Sequence, residues 1–145
     1  MEQDGQVWLM AGAVLSAIAA LLHIGCIVFG APWYRFFGAG EKMARMAQQG
    51  NPKAALITSG IVIVLALWSL YALSGAGVVG RLPLLRTGLA LIATIYVVRG
   101  LVVLPMLVVA PDKATPFWWW SSAICLSFGL VHVQGLRLLW DSLPG

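Results

Sequence analysis

Charge is what this chain has least of. Nine Lys and Arg and five Asp and Glu make up 10% of 145 residues. Paired catalytic carboxylates are absent, as are a phosphate-cradling glycine loop and a Gly-x-Ser-x-Gly elbow, so the common soluble hydrolase and nucleotide-binding chemistries find no foothold. The net charge of +4 does not form a basic stripe interleaved with aromatics, which excludes a nucleic-acid partner. Two cysteines, Cys26 and Cys125, both fall inside apolar runs and cannot build a disulfide framework; the plain reading is small polarizable packing residues.

What the chain has instead is apolar length. It is 61% hydrophobic with a mean hydropathy of +0.92, more apolar surface than one soluble core of this size can hide. Four runs, 8–29, 54–73, 87–109 and 117–140, reach the roughly 20 residues needed to cross about 30 Å of hydrocarbon as a helix. Almost everything else is short connection, so the expected fold is an all-α integral membrane protein: a single domain over 1–145, built as a four-transmembrane-helix bundle.

Breakers and aromatics agree with these runs. Gly30-Ala31-Pro32, Gly75-Ala76-Gly77 through Pro83, and Pro111 with Pro116 separate them, as turn chemistry requires. Trp8, Trp68, Tyr71 and Trp140 mark one set of helix ends, while Trp33, Tyr34, Phe36, Phe37 and the aromatics at 117–120 mark the other, the belts expected at two membrane surfaces.

The first run has an acidic flank, Glu2 and Asp4, and exceeds a signal-peptide core, so it reads as a retained helix. Four spans put both termini on one side. Arg35, Lys42, Arg45, Lys53 and Lys113 lie on the side of the first and third loops, against Arg81, Arg86 and Arg137 on the other. The positive-inside rule then places those loops in the cytoplasm and both termini in the periplasm of a bacterial inner membrane.

Between the first two runs, segment 33–49 reads as a short interfacial helix. Aromatics precede a Gly38-Ala39-Gly40 break, and Met43, Ala44, Met46 and Ala47 follow on an apolar side. Glu41 and Arg45, spaced i, i+4, make a local surface ion pair. The sharper alternative is that Glu41 folds back as a lid or as the counter-charge of a buried cation.

That cation is Arg99, near the centre of the third run. An arginine there costs about 2.5–3.5 kcal/mol even on insertion scales, so something must compensate for it. Counting 1.5 Å per residue from the loop-side boundary, His23 sits about 9 Å deep, Cys125 about 12 Å and Arg99 about 15 Å. Thr58, Ser59, Ser121 and Ser122 are shallower in the same half. Helical spacing draws Ser16, His23 and Cys26 onto one stripe, Tyr96 and Arg99 onto another, and Ser122, Cys125 and Gly129 onto a third. The expected ligand pocket is Arg99, His23, Tyr96, Glu41, Thr58, Ser59, Ser122 and Cys125.

His132, at about 22 Å, belongs nearer the terminal side, too far from His23 to share a haem; it is expected to pair with Gln134, Arg137 or backbone groups. His23, Cys26 and Cys125 are soft-metal ligand types but number at most three and include no Cys-x-x-Cys, so no metal and no cofactor is expected. Gly12, Ser16, Ala20, Cys125 and Gly129 suit close helix approach. Pro105 frees the carbonyl of Leu101 and can kink the third helix.

The segment from Ala19-Ala20-Leu21-Leu22-His23 through Phe36-Phe37-Gly38-Ala39-Gly40-Glu41 to Gln48-Gln49-Gly50-Asn51 resembles small bacterial four-helix inner-membrane proteins of a family of unknown function. These pair a first-helix histidine with an aromatic-Gly-x-x-Glu loop and a Gln-Gly before the second helix. The resemblance implies fold and location and no activity.

Three function classes follow. The first is binding or transport of a small amphiphilic or anionic ligand at Arg99, with lipid and a lipophilic small molecule as partners. The second is a structural or accessory subunit in which Arg99 and the small-residue faces meet a partner helix or a second copy in a homodimer. The third is a membrane enzyme using His23 and Glu41 as acid and base, the least expected of the three.

Overall fold

The computed structural model describes residues 1–145 and is helical throughout: α1 (Glu2–Phe29), α2 (Ala31–Phe36), α3 (Glu41–Gln48), α4 (Pro52–Gly75), α5 (Leu85–Leu101), α6 (Val103–Val109) and α7 (Pro116–Leu139), with one 3₁₀ turn at Pro111–Lys113. Helix accounts for 81% of the chain and no strand forms. Four stretches, Glu2–Phe29, Pro52–Gly75, Leu85–Val109 and Pro116–Leu139, are long and apolar enough to cross a membrane. Between 22% and 33% of the residues in each are buried, so most of their apolar side chains face outward.

The breaks have local causes. Pro32 stands in the first turn of α2, where its missing N–H costs nothing. Gly38 and Gly40 take φ of 69° and 96°, left-handed values that a side chain resists, and this stops α2 and reorients the chain into α3. Pro105 has no N–H to offer Leu101, four residues earlier; α5 ends there and α6 resumes at Val103. The third apolar run, Leu85–Val109, is therefore one helical stretch interrupted only at Val102, whose φ of -61° and ψ of -25° stay right-handed.

Packing divides into two units, 16–67 and 1–15 with 68–145. The first holds a small core of Cys26, Tyr34, Ala44 and Ala54, onto which Trp33, Phe37, Met43 and Met46 pack. The apolar side of α3 is thus consumed by its own unit. Tyr34 ties the core to α4: its hydroxyl meets Thr58 Oγ1 at 2.8 Å, and Thr58 donates to the Ala54 carbonyl at 2.8 Å. Gly25 of α1 leaves room for the Trp33 ring, which a methyl group there would meet at 2.4 Å.

The second unit packs Leu9, Ala13, Ala72, Leu85, Leu89 and Leu136 into its core, with Leu139 and Leu143 at one end. Glycines decide how close its helices come. A methyl on Gly100 would lie 2.6 Å from the main chain of Leu126, and one on Gly129 would lie 2.9 Å from the nitrogen of Val97. Hence α5 and α7 touch nearly backbone to backbone, the small-residue packing of membrane bundles. Gly5 meets Leu138 and Leu139, which brings both chain ends to the same end of the unit. There Arg86 closes the C-terminus: its main-chain N–H donates to Pro144 O at 2.9 Å and its guanidinium to Leu143 O at 2.6 and 3.1 Å.

Candidate functional site

The second unit carries the most unusual electrostatics in the chain. Arg99 leaves α5 toward the opening turns of α7, where Trp118, Ser121, Ser122 and Cys125 share one face at spacings of three, four and seven. Its guanidinium lies over the Trp118 ring, 4.6 Å from the centroid, and Nη2 donates to Ser121 Oγ at 2.6 Å. Nη1 is buried and finds no acceptor, and the buried hydroxyl of Ser122 also lacks a partner. The chain's ion pairs are Met1 with Asp4, and Glu41 with Arg35 and Arg45; Arg99 enters none of them.

This is a cation with half a solvation shell. The ring of Trp118 supplies cation–π attraction of about 0.5–2 kcal/mol, and Ser121 supplies one charge-assisted hydrogen bond. Neither neutralises the charge. A buried, charged N–H left without an acceptor costs about 1–3 kcal/mol or more. The site is therefore electrically incomplete, and an acceptor of negative charge beside Nη1 would complete it. Cys125, half-buried one turn beyond Ser121, adds a thiol to the same face.

Tyr96, one turn from Arg99 on α5, faces different company. Its ring meets Trp68 at 4.8 Å, Phe128 at 5.5 Å and His132 at 5.3 Å between centroids. His132 is fully buried; its Nδ1 donates to Phe128 O at 2.8 Å, and a methyl on Gly12 would strike its ring at 2.8 Å. Its Nε2 has no partner. Neither Gln134 nor Arg137 bonds to it, so of the partners expected for His132 only the backbone carbonyl is realised. The sequence reading grouped Tyr96 with Arg99 and His23 and did not pair it with His132, whose ring it meets across α5 and α7.

The remaining expected site residues belong to the first unit. His23 donates from Nδ1 to the Ala19 carbonyl at 2.7 Å, one turn back on its own helix. Thr58 is held by Tyr34 and Ala54, and Ser59, half-buried beside it, joins none of these bonds. Glu41 is exposed, and its carboxylate accepts from Arg35 Nε at 3.1 Å and Nη2 at 3.0 Å, with Arg45 Nε at 3.5 Å. Gln48 accepts from the same Arg35 Nη2 at 3.1 Å. Hydrogen bonds from Arg35, then the charges of Arg35 and Arg45, hold the Glu41 carboxyl below its ordinary value. The expected pair with Arg45 is present, but Arg35 is the closer partner. Within its own unit Glu41 thus already has two cationic partners.

His23, Cys26 and Cys125 join no cluster of three or more His, Cys, Asp or Glu. Two surface hollows, of about 320 Å³ beside Gln6, Ser74, Arg81 and Ser142 and about 390 Å³ beside Glu41, Lys42 and Arg45, are not lined by Arg99. Sequence reasoning missed Trp118, which it assigned to an aromatic belt. The 118, 121, 122, 125 spacing on one helical face was the signal that could have found it. No known protein family, curated protein or solved structure matches the chain.

Proposed function

We propose that this chain is an integral membrane protein that binds, and in doing so carries or presents, a small amphiphilic anion at Arg99. The observation that supports this most is the unmatched guanidinium: one N–H to Ser121, one ring face on Trp118, one buried N–H with no acceptor, and no carboxylate. A cation kept within an apolar span against such a cost marks a functional site. An amphiphile fits because its charged end would meet Arg99 while its tail replaces lipid against the outward apolar faces of α5 and α7.

The four long helices span the bilayer in this reading, and α2 and α3 lie at its interface with the exposed Phe36 among the headgroups. The lysines and arginines of 30–53 and Lys113 put the first and third loops in the cytoplasm and the termini in the periplasm of a bacterial inner membrane. Arg86, counted on the terminal side, is already engaged by the carbonyls of Leu143 and Pro144. That use sharpens the bias toward the two loops.

Native mass spectrometry of the gently extracted protein tests the reading. The expected result is a retained small acidic molecule in the wild type that is lost in a folded Arg99→Met variant. An empty wild-type monomer, or equal retention in both, would overturn it. A partner protein that co-purifies only when Arg99 is present would replace it with the accessory-subunit reading.

A further inference from the structure

We propose that the hollow of about 320 Å³ in the second unit binds a zwitterion whose cationic end is a primary ammonium and whose anionic end is a phosphate or carboxylate. Its size is at the lower end of small-molecule sites, which begin at about 300 Å³. The two serines that line it are committed: Ser74 Oγ donates to Gly80 O at 2.9 Å and accepts from the Leu82 N–H at 3.0 Å, and Ser142 Oγ donates to Leu139 O at 2.9 Å. Glu2, Gln6 and Arg81, which line the same hollow, are exposed and make neither an ion pair nor a side-chain hydrogen bond. A carboxylate and a guanidinium that line one hollow without meeting leave a gap between opposite charges, and a ligand carrying both charges fills it while satisfying each end. The hollow beside Glu41 offers no such pair, since that carboxylate is held by Arg35 and Arg45.

The lining also selects the kind of cation. Glu2 and Gln6 are four apart on α1, so a carboxylate and an amide oxygen one turn apart offer acceptors for the N–H groups of a primary ammonium. No aromatic side chain lines the hollow, which removes the ring cage that a quaternary ammonium uses, and a fully methylated nitrogen has no N–H to give Glu2. The walls are held by the chain itself: the Ser74 bonds fix the loop that carries Arg81, and Arg86 fixes the main chain of Leu143 and Pro144. All four apolar spans end here, because Glu2 opens the first, Gly75 closes the second, Leu85 opens the third and Leu139 closes the fourth. With these helices across a bilayer, as in the reading above, that is the level of the headgroups. An ethanolamine phospholipid presents this zwitterion from the membrane, and an amino acid presents the same chemistry from water.

The full-length protein is placed in nanodiscs of phosphatidylcholine with a minor share of phosphatidylethanolamine, and native mass spectrometry counts the lipids it retains. Phosphatidylethanolamine is expected to be enriched about fivefold over its share of the bilayer. Glu2→Gln is expected to abolish that enrichment, and Arg81→Gln to lower retention of both lipids, because each carries the phosphate. Both side chains are exposed, so the variants should keep the wild-type circular dichroism and melting curve. In the second arm, protein in nanodiscs of phosphatidylcholine alone is titrated by calorimetry with glycine and with trimethylglycine. Enrichment of the ethanolamine lipid assigns the site to a headgroup; binding of glycine but not trimethylglycine, without enrichment, assigns it to a soluble zwitterion. Neither enrichment nor glycine binding, or either effect surviving Glu2→Gln, would overturn the proposal.

Discussion

Arg35, in the loop region after the first long helix, meets Glu41 with two N–H groups and Gln48 with a further contact, whereas Arg99, inside the third apolar run, meets one serine and one indole ring. The side chain is the same and the surroundings are opposite. Arg35 and Glu41 are about half exposed, so water screens them and their pairing contributes little to stability. Nη1 of Arg99 is buried without an acceptor, so its missing partner is expensive. The contrast separates a contact that shapes a loop from a charge that only an outside group can complete.

Breaking the helix contact that presents Arg99 should have the largest effect. Gly100→Val places a side chain against the main chain of Leu126 and is expected to destabilise the protein by about 3 kcal/mol, the upper end for overpacking. Thermal unfolding in detergent measures this, and an unchanged midpoint would mean that α5 and α7 stand further apart. Next comes Arg99→Met, with the opposite sign. The empty protein should gain about 1–2 kcal/mol, the part of the insertion cost that Trp118 and Ser121 do not offset. A loss of stability on this substitution would show that Arg99 is a structural residue.

In the loop region the effects are smaller and of another kind. Gly40→Ala meets no neighbouring atom but must hold φ at 96°, a strain of about 1 kcal/mol that a melting curve can resolve. The smallest effect is the pH dependence of the Glu41 pairing. Because Arg35 and Arg45 hold the Glu41 carboxyl below its ordinary value of 4.5, its contribution is complete above 4.5 and fades as pH falls through the lower folded value. Hydrogen exchange across α2 and α3 should quicken in that acidic window, and Glu41→Gln should abolish the dependence. The surroundings of Arg99 contain no carboxylate of the chain to titrate.

Much of the fold was legible because long apolar helices announce themselves by run length. The fourth run differs from α7 by one residue at each end and the second from α4 by two. The first was drawn too short, since Glu2 to Gln6 are polar and hydropathy does not see a polar turn that packs, as Gly5 does on Leu139. Pro105 gave notice of the break at Val102. What sequence could not show was pairing across irregular spacing. Arg35 and Glu41 lie six apart across two left-handed glycines, and Tyr34 and Thr58 lie 24 apart on different helices. Arg99 stood out on charge alone, while its ring partner Trp118 was hidden among neighbouring aromatics. Depth counting by itself puts Tyr96 and His132 at similar levels; what it could not show is that the glycine-mediated contact of α5 with α7 brings their rings together.

The central claim, that the counter-charge of Arg99 comes from outside the chain, is most directly tested by NMR of nitrogen-labelled arginine, following the Arg99 Nη protons in gently extracted and in thoroughly delipidated protein. The account predicts a strongly hydrogen-bonded Nη1 signal in the first that vanishes in the second and returns on adding a carboxylic acid. An identical signal in both preparations, unmoved by added acid, would contradict it.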